Sequence, residues 1–194
     1  MITPESIPLG LYIHLPWCLK KCPYCDFNSH ERHAVPEQAY VEALLNDLRH
    51  DSHLIADREV ETIFIGGDTP SLFSPASIET LFAGISDLLN VASNLEATME
   101  ANPGSADADK FRGFAQAGVN RLSLGIQSFD DQCLQALGRV HTAEAARAAI
   151  AHARAAGFDN LNIDLMHGLP GQSADAAATD LHTALAFQPT PLSR

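Results

Sequence analysis

Apolar residues fall into two alternating rhythms along this chain. Short β-branched or apolar runs at 9–15, 60–65, 95–100, 121–125 and 161–165 read as buried parallel strands. Between them the apolar positions recur at helical spacing. Ile78, Leu81, Phe82, Ile85, Leu88 and Leu89 form one stripe, after the start signal Ser74-Pro75. Tyr40, Val41, Leu44, Leu45 and Leu48 form another. Gly118 and Gly157 stand where a helix should end and the chain should turn into the next strand. Strand and helix alternate five times, which predicts an α/β fold with a parallel sheet and right-handed crossovers. No linker or low-complexity stretch interrupts the pattern, so 1–194 is expected to be one domain. The last residues, 188–194, read as the lead-in to a sixth strand. The 161–165 strand is then expected to be an open sheet edge that no proline or lysine protects, favouring self-association.

Composition narrows the functional classes. The 194 residues are 46% hydrophobic and 19% charged, enough apolar mass for a real core. The net charge of −12 repels phosphate backbones, which argues against nucleic acid and anionic membranes as partners. Residues 1–10 show neither a basic nor an apolar leader region, and no run approaches a membrane span. The expectation is a cytoplasmic protein. Three of the four cysteines lie within eight residues, which suits metal binding or catalysis better than a disulfide framework.

Those three, Cys18, Cys22 and Cys25, are spaced C-x3-C-x2-C directly after the first strand. Three thiolates on one short loop hold three irons of a cubane cluster and leave the fourth iron open. Together with His14 or His30 they also fit a Cys3His zinc site. Cys133 reads as a small buried hydrophobe. The other unusual clusters fall at predicted strand ends, where parallel β/α folds place their active sites. Gly66-Gly67-Asp68-Thr69-Pro70-Ser71 follows the second strand, and Glu100-Ala101-Asn102-Pro103 ends the third. Gly125-Ile126-Gln127-Ser128 ends the fourth, and Asp164 lies at the end of the fifth. One polar mouth is the expectation. Taken singly, these residues also suit plainer roles: a tight turn at Gly66-Gly67, solvated strand ends at Glu100, Gln127 and Asp164, a surface charge at Arg139. His152 and His182 read as surface residues of helices; His141 and His167 are expected near the mouth.

The ordered motifs are specific. C-x3-C-x2-C after the first strand resembles the cluster motif of the radical S-adenosylmethionine (SAM) superfamily. Residues 11–18, the Gly-Gly-x-Thr-Pro-Ser turn, Glu100-x-Asn102-Pro103, residues 120–129 and residues 162–172 resemble more narrowly one group within it. That group includes oxygen-independent coproporphyrinogen III oxidase and the HemW-type haem chaperones. The resemblance implies a partial (βα)6 barrel of about five parallel βα units, with the sixth unit and a C-terminal domain missing. It implies a [4Fe-4S] cluster on Cys18, Cys22 and Cys25, with SAM chelating the open iron and cleaved by one electron from an external reductant. By matched position, Tyr12, Gly67, Thr69 and Glu100 would line one SAM site. Tyr24, Gln127, Arg139 and Asp164 match further SAM contacts. Haem or porphyrin and a haem-accepting protein would be the partners.

Two features bear on the choice within the group. The oxidase motif carries one more cysteine where this chain has Phe27, and the oxidase has a long segment before its cluster loop. Both favour a haem chaperone over the oxidase; a silent module bearing zinc or a cluster is a further alternative. One departure concerns Asp68, which stands where the group has a third glycine. If that position needs a positive φ, the change costs on the order of 1 kcal/mol. The added carboxylate either crowds the methionine end of SAM or pairs with its ammonium, and weakened SAM binding is the expectation.

Overall fold

The computed structural model describes residues 6–193 except 33, 56 and 106. Met1–Glu5 and Arg194, parts of two segments considered above, lie outside the described residues. Among the described residues, eight strands and six α-helices follow in order. They are β1 (Leu9–Leu15), β2 (Trp17–Cys18), β3 (His30–Glu31), α1 (Glu37–Asp51), β4 (Val60–Gly67), α2 (Pro75–Leu88) and β5 (Val91–Ala101). Then come α3 (Ala108–Gln116), β6 (Arg121–Gln127), α4 (Asp131–Ala136), α5 (Ala143–Ala155), β7 (Asn160–Leu165), α6 (Ala174–Ala186) and β8 (Leu192–Ser193). One sheet runs β1-β4-β5-β6-β7-β8 with every pair parallel, and β2-β3 form a separate two-stranded ribbon.

The five expected strands are all present, and four of them run one to five residues beyond the predicted bounds at one or both ends. The expected open edge at 161–165 is corrected. β8 pairs Leu192 with Ile163 and Ser193 with Asp164, so the first residues of a sixth strand cover part of β7. The sheet edges among the described residues are therefore β1 and the two-residue β8.

Side chains alternate across a strand, and here the alternation divides core from mouth. Ile63, Ile65, Met99, Leu122, Leu124, Leu161 and Ile163 are at most 1% exposed and form the core with the helices. Full burial of each stabilises the fold by about 1.5–3 kcal/mol. The intervening positions Phe64, Thr98, Glu100, Ser123, Gly125, Asn162 and Asp164 occupy the other face. Register lines Glu100 up with Ser123 and Ser123 with Asn162, then Gly125 with Asp164. The strands are thus not apolar on both faces, as buried parallel strands would be.

Five of the six described α-helices start at capping side chains; α1, which follows Pro36, does not. Ser74 accepts from the Ser77 N–H with Pro75 in the first turn, and Thr142 and Ser173 cap α5 and α6 in the same way. Glu37 in the first turn of α1 accepts from Ser74 N, Ser74 Oγ and Ser77 Oγ at 2.6–2.8 Å. It ties α1 to the start of α2. Cys133 is buried with Leu137 and Leu169, as expected of a small hydrophobe. Among the described residues, no helix is long and apolar enough to cross a membrane.

Candidate functional site

The chain leaves β1 at Leu15 and passes through Pro16 into β2, so Cys18 sits on a strand. Residues 19–29 then form the loop that carries Cys22 and Cys25. Backbone bonds fix its base: His30 N to Pro16 O, Arg32 N to Cys18 O, and Thr69 N to Trp17 O. Trp17 packs edge-on against Tyr40, with ring centroids 4.4 Å apart, which anchors the loop to α1. Within the loop Cys25 N donates to Cys22 O at 3.0 Å, and the Lys21 ammonium to Phe27 O at 3.0 Å.

A cavity of about 220 Å³ opens at the strand ends. Nine residues predicted from sequence line it. Cys22, Tyr24 and Cys25 come from the loop, and Gly67 and Asp68 from the end of β4. Glu100, Gln127, Arg139 and Asp164 come from β5, β6, the α4–α5 connection and β7. Cys18 and Thr69 instead border a much smaller cavity beside it, with Asn102 and Val140. Tyr12 lies on β1, 57% exposed, with its hydroxyl 2.9 Å from His14 Nδ1 and its ring stacked on Phe64. A second groove of about 260 Å³, beneath β1 and against α1 and α2, is lined mainly by leucine and isoleucine. It holds none of the predicted residues except Tyr12.

Close backbone approach shapes the β4 end. Gly67 has φ +125°, and a Cβ there would lie 2.7 Å from Leu15 O and 3.1 Å from His14 Nδ1. Only glycine fits. Among the described non-glycine residues, only Gln127 and Gln188 have positive φ. Asp68 therefore carries no left-handed strain, and the conditional backbone cost of replacing a glycine does not arise. Its carboxylate faces the cavity, beside the Cys18 thiol, and its Oδ2 is buried without a hydrogen-bond partner in the protein.

The mouth carries three carboxylates and one guanidinium. Glu100 Oε2 accepts from the Gly67 N–H at 3.2 Å. Burial, and then the charges of Asp164 and Asp68, push its carboxyl up to about 7 against that bond. Burial, reinforced by Asp68, also pushes the Cys18 thiol up to about 12, so a metal must displace its proton. Arg139 Nη2 donates to Gly125 O at 2.8 Å, while Nη1 lies 3.4 Å from the Tyr24 hydroxyl and 3.9 Å from Cys22 Sγ. Arg139 Nε is buried and has no partner. Burial raises the Tyr24 phenol despite the nearby guanidinium. The mouth thus offers a cationic fork for a carboxylate and several acceptors for a cation or for hydroxyls.

Other residues of the site lie inside the matched motifs but were not singled out as contacts. Ser123 Oγ donates to Asp164 Oδ2 at 2.7 Å, and Asn162 Nδ2 reaches both Ser123 Oγ and Asp164 Oδ1 at 2.7 Å. Their common signal is position: all three stand on the inward alternation of β6 and β7. Phe27 and Asn102 also line the cavity. Gln127 has φ +67°, a conformation that costs a non-glycine residue about 1–2 kcal/mol. His141, 5% exposed, has Nε2 3.1 Å from Ile126 O, and burial together with the Arg139 charge holds it down to about 4. His182 is exposed and His152 half-buried on their helices, and His167 is exposed just past β7.

Among the described residues, no three His, Cys, Asp or Glu side chains gather into a group able to hold a metal ion. The three thiols do not converge on one point with His14 or His30, as the zinc alternative requires. A cubane makes a different demand, one thiolate on each of three irons, so its ligands stand apart around the cluster.

Comparison with known proteins identifies the relatives. The Radical SAM superfamily profile matches residues 12–184. "Heme chaperone HemW" of Escherichia coli is 51% identical over 187 residues, covering 96% of this chain and 50% of that protein. The protein of the same name from Haemophilus influenzae is 48% identical over 195 residues, covering 98% and 51%. The chain spans about half the length of these curated relatives. Among solved structures, Escherichia coli coproporphyrinogen III oxidase (HemN), described as a radical SAM enzyme, superposes with a TM-score of 0.86 at 32% identity. That match covers 95% of this chain and 43% of the oxidase. With a match that runs from β1 into α6 and takes in every strand end of the mouth, this chain belongs to the Radical SAM superfamily.

Proposed function

We propose that the chain is the cluster- and SAM-binding part of a HemW-type haem chaperone. Superfamily membership implies a [4Fe-4S] cluster and SAM, and the residues present suit both. Cys18, Cys22 and Cys25 would hold three irons. The observation that carries the reading is the meeting of Cys22 and Cys25 with the Arg139 fork and three carboxylates in one cavity. When bound, the cluster would supply the electron, taken from an external reductant, for reductive cleavage of SAM.

The protein's own groups then bind and orient. Arg139, with its unpartnered Nε, would pair the SAM carboxylate. Asp68, with its unpartnered Oδ2, would pair the ammonium, and Glu100 and Asp164 would accept from ammonium or ribose hydroxyls. Tyr24 offers an aromatic face to adenine, and Gln127 an amide. Tyr12, Gly67 and Thr69 complete the surround: Gly67 by close backbone approach, Thr69 and Tyr12 from the neighbouring cavity and strand. The two HemW names, at about half identity over nearly all of this chain, support haem transfer to an acceptor protein. Phe27 occupies the place of the oxidase's further cysteine and is 62% exposed at the cavity. That favours the chaperone over porphyrinogen decarboxylation.

The test is anaerobic reconstitution of the full-length protein, followed by SAM titration, haem titration and incubation with coproporphyrinogen III. SAM and haem binding without porphyrin product supports the proposal. Decarboxylated product favours the oxidase, and stable zinc loading with no SAM binding favours a structural module.

A further inference from the structure

Gln127 is held in its strained conformation from outside the cavity. The residues that follow it are clamped by a carboxylate more than fifty positions later in the chain. Asp180 Oδ1 accepts the Phe129 N–H at 2.7 Å, and Oδ2 accepts the Ser128 hydroxyl at 2.6 Å and the Gln172 amide at 3.3 Å. Asp180 is 5% exposed and Ser128 is fully buried. A helix that docks only by packing has no use for a buried carboxylate, which is costly unless donors surround it. The two strongest donors here belong to the turn after β6.

The other side of that turn is held as well. Met166 N donates to Gln127 O at 2.8 Å, and His141 Nε2 meets Ile126 O. Strained backbone persists where its surroundings over-determine it, as they do here. The result is that Gln127 folds back over Gly125. Gln127 Nε2 lies 3.0 Å, and Arg139 Nη2 3.6 Å, from the point a Cβ on Gly125 would occupy. The amide and the guanidinium thereby both close in on the same point above Gly125 at the cavity wall.

We propose that Asp180 of α6 is a positioning residue: it fixes the Gln127 turn and so sets the affinity of the mouth for SAM. The proposal rests on the reading of the mouth as a SAM site. It extends that site to a helix that contributes no lining residue.

A double-mutant cycle tests it in the full-length protein with its cluster reconstituted. D180A should weaken SAM binding about tenfold or more, and D180N less, since one acceptor oxygen survives. Iron and sulfide content should stay at the wild-type level, while the Phe129 amide should exchange faster. In a Q127G background, D180A should change SAM affinity less than about twofold, because glycine takes the positive φ without support. Equal losses in both backgrounds, or unchanged SAM affinity in D180A and D180N, overturn the positioning role. Should D180A not fold, D180N and S128A carry the same comparison. A cluster-loaded wild type that binds no SAM overturns the site reading instead, and this role with it.

Discussion

Arg139 and Cys22, 117 residues apart, meet at the wall of the mouth, with Nη1 3.9 Å from Sγ. The same guanidinium grips the end of β6 through Gly125 O and touches the Tyr24 hydroxyl. It therefore joins the cysteine loop to the strand that carries Gln127. A compact ammonium cannot span these partners. R139K and R139A should both weaken SAM binding by at least about tenfold while leaving the melting temperature within a few degrees. Retention of wild-type affinity in R139K, read by equilibrium binding, contradicts this role.

Asp68 decides a question of sign. Because its backbone is unstrained, D68G gains nothing from relief of a left-handed turn. Two outcomes remain for SAM affinity. If the unpartnered Oδ2 pairs an ammonium, as proposed, D68G weakens SAM binding several-fold. If the carboxylate only crowds the site, as expected from sequence, D68G tightens it. Titrations of the two proteins side by side give the answer.

Glu100 makes ligand binding depend on pH. Its carboxyl rises from an ordinary value of 4.5 to about 7, with Asp164 and Asp68 facing it. The folded state thus holds the proton more tightly than the unfolded one. Its contribution to stability is full below 4.5 and is lost as pH rises through about 7, an effect on the order of 3 kcal/mol. Conversely, affinity for a cationic ligand should increase over the same rise, as the carboxylate ionises. E100Q should flatten both trends. An unchanged pH profile of SAM binding in E100Q contradicts the assignment.

His141 acts in the opposite direction. Held down to about 4 from an ordinary 6.5, it contributes stability above 6.5 that is lost as pH falls toward 4. The two slopes oppose each other in an overlapping window, so wild-type stability should vary little between pH 5 and 6.5. E100Q should expose the acid sensitivity of His141, with a melting temperature that drops on acidification. Equal flatness in wild type and E100Q is evidence against either buried shift.

The strands and their ends were legible because hydrophobic runs and glycine-rich turns are local signals. Leu9–Leu15 and the Ser74 cap are cases in point, and Gly67, Asp68, Glu100, Gln127 and Asp164 follow from strand-end placement, whereas Tyr24 and Arg139 came only from the family resemblance. The Ser123–Asn162–Asp164 network was not legible. It arises from register across β6 and β7, which no spacing along the chain encodes. The Asp180 clamp is hidden for the same reason, since 52 residues separate it from Ser128. The edge at β7 was misjudged because two residues near the chain's end suffice to pair with it.

The most direct test of the central claim is iron and acid-labile sulfide content after oxygen-free reconstitution. About four irons and four sulfides per chain are predicted, lost together in Cys18→Ser, Cys22→Ser and Cys25→Ser. A colourless protein that takes up one zinc and no sulfide would contradict it.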